Sequence, residues 1–243
     1  MRRFAMQKGM AVAVIGLVSA ILGTTPASAL TLETVTGSWS NVVGGTNIGF
    51  YNVGAEAQVR WGDPGNGDQS GLGFTGKPPP PVVFDVGAPF VIGTLRHFNN
   101  VIAPGTAADS ADLTITLGFS GADAPPSIGY IFNLSVNETP NDGPCPVGGP
   151  PCADIIGLPS TFADETFDIL GVSHTLEILG FWDGAAVVDD FISQEGGTNS
   201  AVLVGRITRS SPPVPEPTSA FMFGAGCLIV ARSLKRGPRP VEG

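Results

Sequence analysis

Leu113-Thr114-Ile115-Thr116-Leu117-Gly118-Phe119 and, after a proline-bearing turn, Ile128-Gly129-Tyr130-Ile131-Phe132-Asn133-Leu134-Ser135-Val136 decide the fold class of this chain. Large apolar residues fall at 113, 115, 117 and 119, and again at 128, 130, 132, 134 and 136. Successive side chains of a strand point to opposite faces, so a period of two marks a half-buried β-strand; a helix would repeat every three to four residues. Working outward, further strands are expected at Thr31–Val35, Ala57–Trp61, Val82–Val86, Phe90–Leu95, Thr166–Leu170 and Thr175–Phe181. A looser one runs through Val202, Val204 and Ile207, broken by Gly205. Turn-forming clusters separate them at Asp63–Gly67, Gly76–Pro81, Ala103–Asp109, Ala122–Pro126 and Asn141–Pro151. Short strands at this spacing predict an all-β antiparallel sandwich, jelly-roll-like, in a single domain. Lys77-Pro78-Pro79-Pro80-Pro81 is too short a linker to divide it.

Composition agrees. The chain has 243 residues, 34 of them glycine and 22 proline, and only 14% are charged, against the usual ~25%. This counts against a helical bundle or a coiled coil. Lysine and arginine total 12 against 21 acids, a formal charge of -9. Between residues 30 and 217, five basic residues face 20 acidic ones, and the cations gather at the two ends. An acidic middle excludes nucleic-acid binding, which needs a basic face to displace phosphate counterions.

The ends read as addresses. Arg2, Arg3 and Lys8 precede an uncharged run from Met10 to Gly23, and small residues follow at Ala27 and Ala29. That is the layout of a secretory signal peptide cut after Ala29; the run is shorter than the ~20 residues needed to span a bilayer. At the other end, Val214-Pro215-Glu216-Pro217 precedes an uncharged stretch from Thr218 to Ala231, and Arg232, Lys235 and Arg236 follow. Prolines stop preceding structure, the apolar stretch partitions into lipid as a helix, and the cations stay cytoplasmic. Three domains of sequence follow: 1–29, 30–211 and 212–243.

Of three cysteines, Cys227 lies in the C-terminal segment, leaving Cys145 and Cys152. In an oxidising compartment this pair is expected to form a structural disulfide. The six residues between them are not the spacing of a redox pair, and no neighbouring histidine completes a zinc site.

Catalytic signatures are missing. The two histidines, His97 and His174, sit in no His-Glu-x-x-His pattern, and there is no Gly-x-Ser-x-Gly elbow. No catalytic residue and no metal ligand is expected. Calcium is the one ion the acidic turns Asp63-Pro64-Gly65-Asn66-Gly67-Asp68 and Asp189-Asp190 would take; neither matches an EF-hand, and both are read as solvated turns. The sequons at Asn133 and Asn137 are read as chance matches.

Two resemblances rest on these residues. Val-Pro-Glu-Pro, the apolar stretch and the basic cluster resemble a PEP-CTERM sorting signal. Gly93-Thr94-Leu95-Arg96-His97-Phe98-Asn99-Asn100 resembles the signature of the THxN family of PEP-CTERM proteins, similar to choice-of-anchor K domains. Its companions are Gly37–Asn41, Val59–Pro64, Gln69–Leu72, Asn137–Asn141, the cysteine pair, and Gly180, Phe181, Phe191, Glu195, Asn199 and Ala201. Arg96 stands where the family has threonine. The resemblance implies an exported protein of an exopolysaccharide-producing Gram-negative bacterium. Signal peptidase and an exosortase would process it as it passes through the inner membrane to the cell surface or matrix. It supplies no catalytic residue.

Trp61, His97, Asn99, Glu138, Asn141 and Glu195 could converge on a ligand. Structural roles are the reading adopted: asparagines capping turns, Glu138 pairing with Arg60 or Arg96, and tryptophan in the core. The function expected is a non-enzymatic surface or matrix protein. The alternatives are a carbohydrate-binding module for the cell's own polysaccharide, aided by calcium, and a secreted hydrolase working through Glu138 or Glu195.

Overall fold

A computed structural model describes residues 30–77, 82–84, 86–121, 127–139, 141, 144–159, 165–169 and 171–209. The signal-peptide positions Ala27 and Ala29, the motif Val214 to Pro217 and the cluster Arg232, Lys235 and Arg236 lie outside the described residues.

The described chain is all-β, with no helix and antiparallel sheets, one of them curled into a half-barrel. The strands are β1 (Leu30–Gly44), β2 (Gly49–Val53), β3 (Glu56–Trp61), β4 (Ser70–Gly76), β5 (Val82–Phe84), β6 (Pro89–Asn99) and β7 (Ala108–Ser120). They continue with β8 (Ile128–Asn137), β9 (Asp154–Gly157), β10 (Glu165–Ile169), β11 (Val172–Trp182), β12 (Val187–Val188), β13 (Asp190–Ser193) and β14 (Gly197–Arg209). The first sheet has the order β13-β9-β8-β7-β1-β5. The second runs β10-β11-β14-β6-β4-β3-β2, with β12 on β11.

The alternation read at β7 and β8 is the one built. Ala111, Leu113, Ile115, Leu117 and Phe119 are buried, as are Ile128, Tyr130, Phe132, Leu134 and Val136, while Ile131, Asn133 and Ser135 face solvent. These residues meet Val59, Trp61, Leu72, Phe74, Ile92, Leu95 and Leu203 of the other sheet in one core. Lys77 N donates to Ile92 O at 2.9 Å. Cys145 and Cys152 form the expected disulfide, with 5.0 Å between Cα atoms.

At β14 the expected phase is wrong. Ala201, Leu203 and Ile207 enter the core, with Gly205 in their row, and Val202 and Val204 take the opposite face. The strand is central, between β11 and β6, and apolar residues on both of its faces are covered, so hydrophobicity alone does not show its inner row.

Candidate functional site

Strand pairing brings six polar side chains together between the sheets. His97 and Asn99 are two apart on β6, so they share a face, and neither is exposed to solvent. On β9 and β13, Asp154 pairs with Ser193 in register, and both are also fully buried. β8 pairs Asn137 with Ile155, which sends the next residue, Glu138, past the start of β9 beside Asp154. After β13 the chain crosses to the second sheet, and Glu195 lies on that crossing.

Hydrogen bonds fix one end of most of these groups. His97 Nδ1 shares a 2.8 Å bond with Ser193 Oγ, which also accepts from Asn199 Nδ2 at 3.0 Å. Asn99 Nδ2 donates to Ser193 O at 3.0 Å. Asp154 Oδ1 accepts from the Thr139 amide at 2.8 Å, and Thr139 Oγ1 donates to Ala153 O at 2.9 Å. The other ends have no partner: His97 Nε2, Asn99 Oδ1, Glu138 Oε2, Asp154 Oδ2 and both Glu195 carboxylate oxygens. Buried polar atoms in proteins are nearly always paired, so this concentration at one place calls for an explanation. Ligand atoms of His97, Glu138 and Asp154 lie within 4.8 Å of one another, the one such trio among the described residues.

The electrostatics follow from burial. Desolvation, then the charges of Asp154 and Glu195, pushes the Glu138 carboxyl up to about 8. Burial and, more weakly, Glu195 raise Asp154 to about 6 against hydrogen bonding from Thr139 and, more weakly, the Asn99 side chain. Burial and then the Arg60 charge lower His97 to about 3. Linkage gives a sign. From pH 6.5 to 8, folded Glu138 holds a proton that the unfolded chain has released; this outweighs the opposing change at His97, which is neutral when folded and half protonated at pH 6.5 when unfolded, while Asp154 is mostly ionised in both states. Stability therefore falls as pH rises through that window. EDTA-treated protein should melt at a lower temperature at pH 8 than at pH 6.5, and Glu138→Gln should flatten the difference. Equal melting temperatures in the parent protein would contradict this account.

Of the six residues singled out in the sequence, five gather here. Trp61 stacks beside His97 at 6.5 Å between ring centroids. Asn141 does not join. It is exposed and lines a cleft of about 840 Å³ with Ile102, Pro104, Asp109, Asn137 and Glu138. Glu138 is thus shared between cleft and buried cluster. The expected pairing of Glu138 with Arg60 or Arg96 is overturned. Arg96 Nη1 binds Glu56 at 2.8 Å, and Arg60 donates to Gln58 Oε1 and to Gln69 O. Both guanidiniums lie over Phe98, at 3.3 and 4.7 Å. Residues 96 and 98 alternate with 97 and 99, so Arg96 sits on the opposite face of β6 from the cluster. Arg96 therefore takes no part in the cluster.

The acidic turns lie elsewhere. Asp63 Oδ1 accepts from Gly65 N at 3.2 Å in a local turn, and Asp63, Asp68, Asp189 and Asp190 are exposed. Asn133 donates to Asp112 Oδ1 at 2.8 Å on the outer face of β8. Sequence reasoning missed Asp154, Ser193 and Thr139. A signal existed for two of them: Asp154 is in phase with Ile156, and Ser193 with Phe191, so each is a polar residue at an inward position of an apolar strand.

A scan against models of known protein families finds no match to this chain, and a search of curated proteins finds none either.

Proposed function

We propose that this chain is an exported, non-enzymatic domain of the cell surface or extracellular matrix. On this reading a PEP-CTERM signal of the THxN kind carries it, and an exosortase processes it after passage through the inner membrane. The disulfide between Cys145 and Cys152 carries the reading, since such bonds persist in oxidising compartments. One further observation supports it. Both histidines are buried, His97 at 0% and His174 at 2% exposure, so neither imidazole faces a substrate in solution.

Processing is directly measurable. Mass spectrometry of the protein recovered from cell surface and medium should find neither residues 1–29 nor the tail after Pro217. A non-reducing peptide map should join Cys145 to Cys152. An intact Arg232–Gly243 segment on surface protein would refute cleavage, and free thiols at both cysteines would remove the main support.

The cleft favours a second reading, the carbohydrate-binding module. Asp109, Asn137 and Asn141 offer the polar groups a sugar takes, beside apolar Ile102 and Pro104. A glycan array probed with the mature protein tests it; no glycan retained would end it.

A further inference from the structure

We propose that His97 Nε2, Glu138 and Asp154 form a site for one divalent first-row transition-metal ion, with Asn99 and Glu195 lying beside it. The site stands independently of the export route.

Spacing is the first argument. An ion about 2.0–2.2 Å from each of several ligands in tetrahedral array holds them roughly 3.3–3.6 Å apart. The three donor atoms already lie within 4.8 Å of one another, so rotamer adjustments of up to about an ångström bring them to ligating distance.

Orientation is the second. His97 and Asn99 are both completely buried, and their unpartnered atoms are those a cation takes, a ring nitrogen and an amide oxygen. In each case the other polar atom is tied down: His97 Nδ1 to Ser193 Oγ and Asn99 Nδ2 to Ser193 O. With Nδ1–H donating to Ser193, the Nε2 lone pair is free for a metal. Metal-bound histidines are held in this way by an outer hydrogen bond. Asp154 repeats the scheme, with Oδ1 anchored by Thr139 N and Oδ2 unpartnered.

Charge is the third. Three acids, Glu138, Asp154 and Glu195, are drawn together out of water, with unpartnered oxygens on each. Arg60 acts on His97 from nearby, but its donors are given to Gln58 and Gln69. Buried charges are paired or coordinate metals, and a divalent ion supplies the missing partner. Glu138 also lines the cleft, which gives the ion a path from solvent.

The donor set selects the class of ion. Calcium takes oxygen ligands, whereas an imidazole nitrogen among carboxylates suits zinc or manganese. The site is thus a different one from the exposed acidic turns.

The test uses tag-free mature protein, dialysed against EDTA and then equilibrated separately with ZnCl2, MnCl2 and CaCl2, with bound metal measured by mass spectrometry. One zinc or manganese per chain is expected. Asp154→Asn should weaken binding tenfold or more, and Ser193→Ala, which removes the hydroxyl that orients His97 and also accepts from Asn199, roughly tenfold. Absence of stoichiometric zinc or manganese, retention of calcium alone, or unchanged affinity in Asp154→Asn would overturn the proposal. If Asp154→Asn fails to fold, the wild type still decides. The chain has 2 histidines, so nitrogen-15 resonances of labelled histidine can be followed on adding zinc. A shift at the Nε2 of His97 supports the site, and unmoved ring nitrogens overturn it.

Discussion

Phe74→Ala should cost about 3–5 kcal/mol of folding stability, the usual range for emptying a buried phenylalanine site. Phe74 lies on β4 and is completely buried. Its ring fills space that two glycines leave. A Cβ at Gly37, on β1 of the facing sheet, would come within 2.4 Å of Phe74 Cδ1, and a Cβ at Gly93, on the neighbouring β6, within 2.6 Å of Cζ. Neither glycine has a side chain that could move into the vacated volume, so truncation leaves a cavity between the sheets. The whole domain is held by about 5–15 kcal/mol, so the loss is a large fraction of it. Urea denaturation should show a lower midpoint with an unchanged slope. A loss below about 1 kcal/mol would mean that the sheets close over the gap and that the ring is no keystone.

Gly76→Ala should be the next most damaging, about 1–3 kcal/mol, through overpacking rather than a cavity. A Cβ at Gly76 would stand 1.9 Å from the Val35 carbonyl oxygen and 2.5 Å from its carbon. Both are backbone atoms, so no rotamer change relieves the clash; β4 must move away from β1. Gly129→Ala is the control. It lies on the solvent face of β8, and an added Cβ meets nothing within 4 Å. Its effect should stay within about 0.5 kcal/mol of zero. The same denaturation series checks both, and equal effects at the two positions would refute the close approach of the sheets at Gly76.

Legibility in the sequence followed solvent exposure. β7 and β8 were plain because the outer face of their sheet is wet, and polar residues therefore alternate with apolar ones. β2, β4, β9, β12 and β13 were not anticipated. β4 reads Ser-Gly-Leu-Gly-Phe-Thr-Gly, and glycine at alternate positions argues against a strand on propensity alone. In the fold those glycines are required: a Cβ at Gly71 would lie 2.2 Å from Val59 O. β9 and β13 have 4 residues each, too short for local pattern to mark them as strands, and are held by pairing, β13 with β9 and β9 with β8.

The candidate site divides in the same way. His97, Asn99, Glu138 and Glu195 were singled out from the sequence, but the ion pair expected between Glu138 and an arginine is not formed. Arg60 and Arg96 went to Gln58 and Glu56, which lie with them and Phe98 on β3 and β6.

The sequence by itself determined the class of fold, the acidic character of the folded region and the cysteine pair, because each depends on local periodicity, composition or short separations. Tertiary structure alone decided which polar residues meet. His97, Glu138, Asp154 and Ser193 come from four strands or strand ends of two sheets, up to 96 residues apart in the chain. Their shared burial is a consequence of register: one residue of slip on β9 would turn Asp154 outward and Ile155 inward, and the cluster would not exist.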